Sequence, residues 1–299
     1  MNVSTITPVR YYKSNGVLFR DLERIHSHIK SILGQNYSRG KITCYIGDFT
    51  EDISVANEIK NICLKYGAEY LRLSSNDVFN RGKMINEIFK ASNIVDDFIM
   101  LYDMDLVVSK NLFERFYSFY LSKDDWIKII TCGINFISLD KLNGIGVDSD
   151  LIKYEIESER KRFLWANGLQ FMKTEDFVSF GGLDENFNLY CGTDDEILHR
   201  ANSNYMNKLI GRKIDIRINE YQKDPLAFHL NHYKAIKGWK ILGKEDQFVS
   251  VTKDINDLFC SINRAYFSSF IKKGKFRCQN NLNKKQNYFG VNEQGFFYG

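Results

Sequence analysis

The chain has 299 residues, 44% of them hydrophobic and 26% charged, with a net charge of +4, so it can bury a sizeable core and its charge does not indicate a nucleic-acid partner. Six scattered cysteines without a CxxC pair argue against a zinc ribbon and against a disulfide framework. The N-terminus lacks the apolar core of a signal peptide, and no stretch reaches the roughly 20 apolar residues of a membrane span, so we expect a cytoplasmic protein with reduced thiols.

Strand and helix patterns alternate over the first hundred residues. The patterns predict strands at 2–9 (stopped by Pro8), 41–49 (ending at Asp48), 68–74 and 97–105, and helices at 18–33, 53–67 and 82–92. This order predicts an α/β fold with a mostly parallel sheet flanked by helices, whose ligands gather at the carboxyl ends of the strands. Pro8, Asp48 and Asp103 fall at such ends.

The second half of the chain is less regular. We predict a strand at 128–139, a strand and a short helix at 168–182, a helix that opens with carboxylates at 193–209, and a further helix within 246–270. This divides the chain into one domain over 1–245 and an extension over 246–299. Its tract 270–290 mixes basic and aromatic residues without any acidic one, which suits either peripheral contact with an anionic membrane or a solvated tail.

Two carboxylates one residue apart, Asp103 and Asp105, end the longest apolar run, "FIMLYDMD". A turn explains such a pair, because Asp is a common turn residue. A divalent cation explains it equally, because oxygen ligands at the carboxyl edge of a sheet hold Mg²⁺ or Mn²⁺ against phosphates. Asp148 and Asp150 have the same spacing without an apolar run before them, so spacing alone does not decide.

Four motifs in order resemble one enzyme class: "TITPVR", "FNRGKMINEIFKA", "FIMLYDMDL" and "FGGLDENFNLYCGTDDEILHR". They are similar to the inverting nucleotide-sugar glycosyltransferases of the GT-A fold, most closely the β-1,4-galactosyltransferase and chondroitin-polymerase type. The resemblance covers roughly residues 3–235. It implies a Rossmann-like nucleotide half followed by an acceptor half.

The resemblance implies a nucleotide-binding set. Pro8, Val9 and Arg10 would contact the base and ribose, Asp48 the uracil edge, and Phe79 and Arg81 the base and diphosphate. Arginine suits phosphate because it presents a fork of donors, and phenylalanine offers a flat face to a base. Standing alone, "FNRGK" would equally fit a solvated helix start.

The resemblance also implies a Mn²⁺ or Mg²⁺ ion that neutralises the departing diphosphate. Asp105 would bind the ion directly, while Asp103 would orient the ribose or a metal-bound water. A histidine supplies a further ligand, and His229 fits the position of the family better than His232. The alternative for both is a histidine packed beside aromatic residues.

On the acceptor side the resemblance places the catalytic base on Asp194, which would take the proton of the attacking hydroxyl. Tyr190, Gly182 and Asp195 would contact the sugars. Thr193 and Tyr190 depart from the Glu and Trp of the family, which puts the identity of the acceptor in question. The alternative role of the acidic run is to cap a helix.

The resemblance implies transfer of a hexose or N-acetylhexosamine from a UDP-sugar to a glycan or lipid-linked glycan, as in bacterial surface polysaccharide synthesis. The enzyme would lie in the cytoplasm, with the inner face of the membrane as a further option. A retaining transferase and a non-catalytic binding module stay open as alternatives. A nucleotidyltransferase fits poorly, because "PVRYYKSNG" lacks a glycine-rich phosphate loop.

Overall fold

The computed structural model describes residues 1–11, 13–14, 17–18, 22–74, 80–121, 127–132, 134–137, 168–185, 197, 214–219, 227–230, 290–291 and 297–298. The helices are α1 (Glu23–Leu33), α2 (Ile53–Tyr66), α3 (Arg81–Ser92), α4 (Leu112–Tyr120) and α5 (Thr174–Ser179). The strands are β1 (Val3–Val9), β2 (Lys13–Ser14), β3 (Val17–Leu18), β4 (Ile42–Asp48), β5 (Glu69–Arg72), β6 (Phe98–Tyr102), β7 (Leu106–Val108), β8 (Ile127–Cys132), β9 (Ile134–Ile137), β10 (Leu169–Lys173), β11 (Ile214–Asn219), β12 (Ala227–Leu230), β13 (Gly290–Val291) and β14 (Phe297–Tyr298).

A seven-stranded sheet in the order β11-β8-β10-β6-β1-β4-β5 forms the centre of the fold. Strands β6, β1, β4 and β5 run parallel to one another, and so do β8 and β11, whereas β10 is antiparallel to both β6 and β8. The predicted α/β fold with a mostly parallel sheet flanked by helices is therefore confirmed. A second, three-stranded sheet has the order β7-β12-β9.

Strand β6 is buried on both faces, which explains its continuous apolar sequence. Phe98, Met100 and Tyr102 belong to the core shared with α1, α2 and α4, whereas Ile99 and Leu101 belong to the core beneath α3 and α5. Side chains that alternate between two cores leave no position on the strand for a polar residue. The first carboxylates consequently come directly after it.

Helix α2 shows how local sequence sets the helix ends. The side chain of Asp52 accepts hydrogen bonds from the backbone N–H groups of Ser54 and Val55, so it caps the helix start. Gly67 ends the helix in the left-handed conformation, with φ of 76°. Both ends agree with the prediction from sequence.

The structure corrects three details of the predicted strands. Pro8 does not stop the first strand, because the ladder to β6 ends at Ile6 and the missing N–H of proline costs no hydrogen bond on that side. The strand predicted over 97–105 ends at Tyr102, so both aspartates lie after it. The strand predicted over 128–139 is two strands in different sheets. In addition, Leu18 lies in β3 and not in the predicted helix.

The predicted extension falls almost wholly outside the described residues, as do the helices predicted over 193–209 and 246–270 apart from Ile197. The division into two parts therefore stays a prediction. Within the described part of the chain, no helix combines the length and the hydropathy needed to cross a membrane.

Candidate functional site

Asp103 and Asp105 lie in a tight connection between the central sheet and the small sheet. The connection starts after Tyr102, the last residue of β6, and ends at Leu106, the first residue of β7. The backbone N–H of Leu106 donates to the carbonyl of Asp103 at 3.1 Å, which closes the turn. The predicted turn is therefore present, and the predicted cation site would lie at this same turn.

Arg81 binds the first carboxylate. It is the first residue of α3, and its Nε donates to Oδ1 of Asp103 at 2.7 Å. The side chain of Arg81 is only 3% exposed, so its charge needs an anionic partner within the protein. This contact brings together two residues that the sequence predicts for the same site.

Gly168 allows the backbone and the carboxylate of Asp103 to lie close to the start of β10. The backbone N–H of Asp103 donates to the carbonyl of Gly168 at 2.9 Å, just before β10 begins. A Cβ atom at position 168 would overlap Oδ2 of Asp103 and lie 3.0 Å from its Cγ. The position of this carboxylate therefore depends on a residue without a side chain.

His229 lies beside the second carboxylate. Strand β12 pairs antiparallel with β7, so that His229 stands opposite Leu106, and the N–H of Leu230 donates to the carbonyl of Asp105 at 2.7 Å. This register places Nε2 of His229 3.4 Å from Oδ2 of Asp105. The structure thus brings the preferred histidine of the sequence prediction to the carboxylate that it was expected to accompany.

The electrostatics of His229 follow from its two acidic neighbours. Burial alone lowers the pKa of this imidazole, but Asp105 and, at longer range, Asp103 raise it, and the carboxylates prevail. The pKa of His229 therefore lies above its ordinary value. The surrounding field favours positive charge at this position, whether that charge is a proton or a cation.

The donors at this turn fit a hard divalent cation. A carboxylate oxygen and an imidazole nitrogen are ligand types that Mn²⁺ accepts, and Mg²⁺ sites commonly combine one or two carboxylates with substrate phosphates and water. Among the described residues, no group of three His, Cys, Asp or Glu side chains could hold a metal by itself. Asp105 and His229 would therefore bind a cation only together with ligands from a substrate or from water.

A buried histidine supports this turn from behind. His28 of α1 donates from Nδ1 to the carbonyl of Leu106 at 3.0 Å, so its Nε2 accepts from the hydroxyl of Thr7 at 2.9 Å. Its ring also stacks on Tyr102, with centroids 4.5 Å apart. Burial lowers the pKa of His28 to about 4, so the ring is neutral near pH 7.

The predicted nucleotide residues of β1 and β4 lie next to each other in register. Val9 pairs with Asp48, and Pro8 precedes it in the same ladder. Arg10 follows β1 and donates from Nη2 to Glu51 at 2.8 Å. Strand β1 lies between β6 and β4, so the end of β1 lies about 5 Å, and the end of β4 about 10 Å, along the sheet edge from the end of β6.

The carboxylate of Asp48 is fully buried and already accepts hydrogen bonds within the protein. Oδ1 accepts from the N–H of Thr50 at 2.8 Å, and Oδ2 accepts from the hydroxyl of Tyr70 at 2.7 Å. Arg72, which is more exposed, lies 3.6 Å from the same Oδ2. Asp48 therefore links the end of β4 to β5 through the hydroxyl of Tyr70. Its predicted contact with a uracil base stays a prediction.

Gly182 belongs to the turn over residues 181–185, which follows α5 and packs on α3. Gly181 and Gly182 have φ of 74° and 80°, a conformation that favours glycine. The remaining predicted site residues lie outside the described part of the chain: Phe79, Tyr190, Asp194, Asp195 and His232.

The sequence reasoning did not single out Gly168, His28, Tyr70 or Asn86, each of which contacts the site or its supports. One of them has a sequence signal. Ile25, His28, Ile29 and Ile32 share the spacing of a buried helix face, which places the histidine in the core. The other three act through contacts between distant segments.

Neither a protein-family profile nor a curated protein sequence matches the chain. Among solved structures, S. aureus TarS 1-349 is similar at 14% identity over 77% of this chain and 60% of that one, with a TM-score of 0.46. It has also been solved with UDP and with UDP-GlcNAc.

Two further structures come from other organisms. The catalytic domain of Drosophila β1,4-galactosyltransferase 7, in complex with xylobiose, has 13% identity over 77% of this chain and 71% of that one, with a TM-score of 0.42. A mannosyltransferase of Pyrobaculum calidifontis, in complex with GDP-Man and Mn²⁺, has 10% identity over 80% and 63%, with a TM-score of 0.47. The chain thus spans about three fifths of TarS 1-349 and of the mannosyltransferase.

Proposed function

We propose that the protein is a metal-assisted glycosyltransferase of the GT-A fold that uses a UDP-sugar. One observation carries the proposal: at the carboxyl end of β6, Asp105 lies beside His229 while Arg81 holds Asp103. These four residues come from three segments of the chain, and the resemblance found in the sequence assigns all four to nucleotide or metal binding. A simple turn would not require a buried arginine and a histidine at the same two carboxylates.

The proposed roles follow from the chemistry of each side chain. Asp105 and His229 would hold Mn²⁺ or Mg²⁺, and the ion, when bound, would stabilise the negative charge of the departing diphosphate. Arg81 fixes Asp103 by a charge-assisted hydrogen bond, so that this carboxylate keeps one orientation while a nucleotide binds. Arg10 and Asp48 would lie toward the base, because β1 and β4 end side by side at the same edge of the sheet.

The finer parts of the proposal rest on the sequence motifs. We propose transfer with inversion, Asp194 taking the proton of the acceptor hydroxyl, and Tyr190, Gly182 and Asp195 contacting the sugars. The acceptor would be a glycan or a lipid-linked glycan of a bacterial surface polysaccharide, reached from the cytoplasm, with the basic tract 270–290 near the inner face of the membrane. Phe79 and His232 complete the proposed nucleotide and metal sets.

The deciding experiment is calorimetric titration of UDP into the wild type and Asp105→Ala, each with Mn²⁺ and with EDTA. We expect UDP to bind the wild type only with Mn²⁺, and we expect Asp105→Ala to lose that binding. The matched control is Asp150→Ala, which removes the second aspartate of the other D-x-D sequence and should bind UDP as the wild type does. Equal binding of UDP in all conditions would remove the metal role of Asp105.

Stereochemistry separates the inverting from the retaining alternative. An inverting enzyme gives a product whose anomeric configuration is opposite to that of the donor, and NMR of the product measures this directly. A retained configuration would leave the glycosyltransferase proposal intact but remove the role of Asp194 as the base. UDP binding without any transfer or hydrolysis of a UDP-sugar would favour the non-catalytic binding module.

A further inference from the structure

Helix α3 contacts both Asp103 and the 181–185 turn. At its start, Arg81 binds Asp103. One and a half helical turns later, the fully buried Asn86 faces residues 183 and 185. The same short helix therefore determines how far the 181–185 turn lies from Asp103.

Asn86 holds the turn through both ends of its amide. Oδ1 accepts from the backbone N–H of Leu183 at 2.9 Å, and Nδ2 donates to the carbonyl of Leu183 at 2.8 Å. Nδ2 also donates to Oε1 of Glu185 at 3.0 Å. A side chain that binds the donor and the acceptor of one residue fixes both the position and the orientation of that backbone.

Asn80 adds a second attachment at the start of the helix. Its Oδ1 accepts from the N–H of Lys83 at 2.8 Å and caps α3, while its Nδ2 donates to the carbonyl of Glu185 at 2.7 Å. Gly82 lies between these contacts, and a Cβ there would come within 3.0 Å of the carbonyl of Asp184. The backbone of the turn thus packs directly on the first turn of the helix.

We propose that Asn86, assisted by Asn80, is a positioning residue that holds the 181–185 turn where the sugar of the bound nucleotide sugar contacts it. The inference rests on the proposed function, since it assumes a nucleotide at the Asp103 and Asp105 end of the site. Gly182 of this turn already belongs to the proposed sugar contacts, and the inference adds that the two asparagines set its position. Binding of the nucleotide is left to the residues around Asp105. The two asparagines act through the turn and do not contact the substrate.

The test compares affinities for UDP and for UDP-sugars in the presence of Mn²⁺. UDP-glucose, UDP-galactose, UDP-GlcNAc and UDP-GalNAc serve as probes, and calorimetry gives the ratio of each Kd to the Kd of UDP. Asn86→Asp keeps the size and the acceptor for Leu183 N–H, but places a carboxylate against the Leu183 carbonyl and Glu185. We expect the Kd for UDP to change less than about twofold. The ratio of the Kd for the preferred UDP-sugar to the Kd for UDP should change by about tenfold, in the direction of one.

Two further variants make the test independent of a folding defect. Asn80→Asp keeps the cap of α3, since aspartate is an equally good cap, but loses the donor to Glu185. It should move the ratio in the same direction, by less. Adding Glu185→Gln to Asn86→Asp returns a hydrogen-bond donor to the contact between residues 86 and 185. The double variant should therefore recover part of the wild-type Kd ratio. Asn61→Asp, the same change at an exposed position of α2, is the control and should change neither Kd.

Each outcome decides between the possibilities. Equal weakening of UDP and UDP-sugars in Asn86→Asp would show that the residue supports the fold as a whole, and no change in either would show that the turn is not held for binding. A wild type that binds UDP but distinguishes none of the four sugars from it would also overturn the inference. A wild type that fails to bind UDP with Mn²⁺ would instead overturn the proposed function.

Discussion

The buried neutral imidazole of His28 should make the protein less stable as the pH falls. Burial lowers the pKa of this ring from 6.5 to about 4 in the folded chain. Between these values the unfolded chain holds a proton on the ring and the folded chain does not. Its contribution to stability is therefore complete above pH 6.5 and is lost progressively as the pH falls toward 4.

The size of the effect follows from the same two pKa values. For one group with these values, the free energy of unfolding should fall by about 2 kcal/mol between about pH 7.5 and about pH 5. This is a large share of the stability of an ordinary domain. His229 acts in the opposite sense, because its pKa is raised and a raised pKa favours the folded state at low pH.

A comparison of variants isolates His28 from the other titrating groups. His28→Gln keeps a donor and an acceptor but cannot titrate, so its free energy of unfolding should decline less between the two pH values, by about 2 kcal/mol. Urea denaturation at each pH, monitored by tryptophan fluorescence, gives the values. His26→Gln is the matched control, because it removes a ring from the same helix, one that contacts Tyr66 near the surface.

Equal pH dependence in the wild type and His28→Gln would refute the reasoning, because it would mean that the folded and unfolded chains protonate this ring alike. A lower stability of His28→Gln at every pH would not refute it, since the variant also loses the stacking on Tyr102 and fills the space less completely. Only the difference between the two pH values bears on the charge.

Gly168→Ala should weaken Mn²⁺-dependent UDP binding by about tenfold or more in calorimetry, because its Cβ would displace the carboxylate of Asp103. Asp52→Ala should lower the free energy of unfolding by about 1 kcal/mol without changing UDP affinity, because it removes the cap of α2. Phe171→Ala should cost about 3–5 kcal/mol in urea denaturation, because Phe171 is buried and stacks on Phe98 at 5.1 Å. Unchanged UDP affinity in Gly168→Ala would contradict the first expectation, and unchanged stability in Asp52→Ala the second. A loss below about 1 kcal/mol in Phe171→Ala would contradict the third.

Local signals predicted the parallel half of the fold from the sequence. Gly67 ends α2 and Asp48 ends β4 where the sequence placed them, because a left-handed glycine and an apolar run ending in a carboxylate depend on few neighbours. Pro8 was misjudged for the converse reason. Whether a proline can stand in a strand depends on where the neighbouring strand ends, and the sequence of β1 does not contain that information.

Pairing between distant segments limited the prediction for the second half. Strand β10 was recognised, but its antiparallel place between β6 and β8 follows from contacts such as Phe171 with Ile130 and Met100. The prediction for 128–139 failed because one apolar pattern runs through two strands, Ile127–Cys132 and Ile134–Ile137, that belong to different sheets. Periodicity identifies a strand but not its partner.

The contacts at the two carboxylates indicate which of them should be tested first. Arg81 is almost wholly buried, so replacing Asp103 would remove an anionic partner from a buried cation, and the resulting loss of stability would obscure any loss of binding. Asp105 has the histidine of β12 beside it, and its backbone carbonyl keeps the hydrogen bond from Leu230 whatever the side chain is. Asp105→Ala therefore removes a ligand while the register of β7 and β12 stays in place. The difference in their partners explains how two carboxylates one residue apart are tolerated after a buried strand: one is neutralised by the protein itself, and the other lies where the field favours a cation.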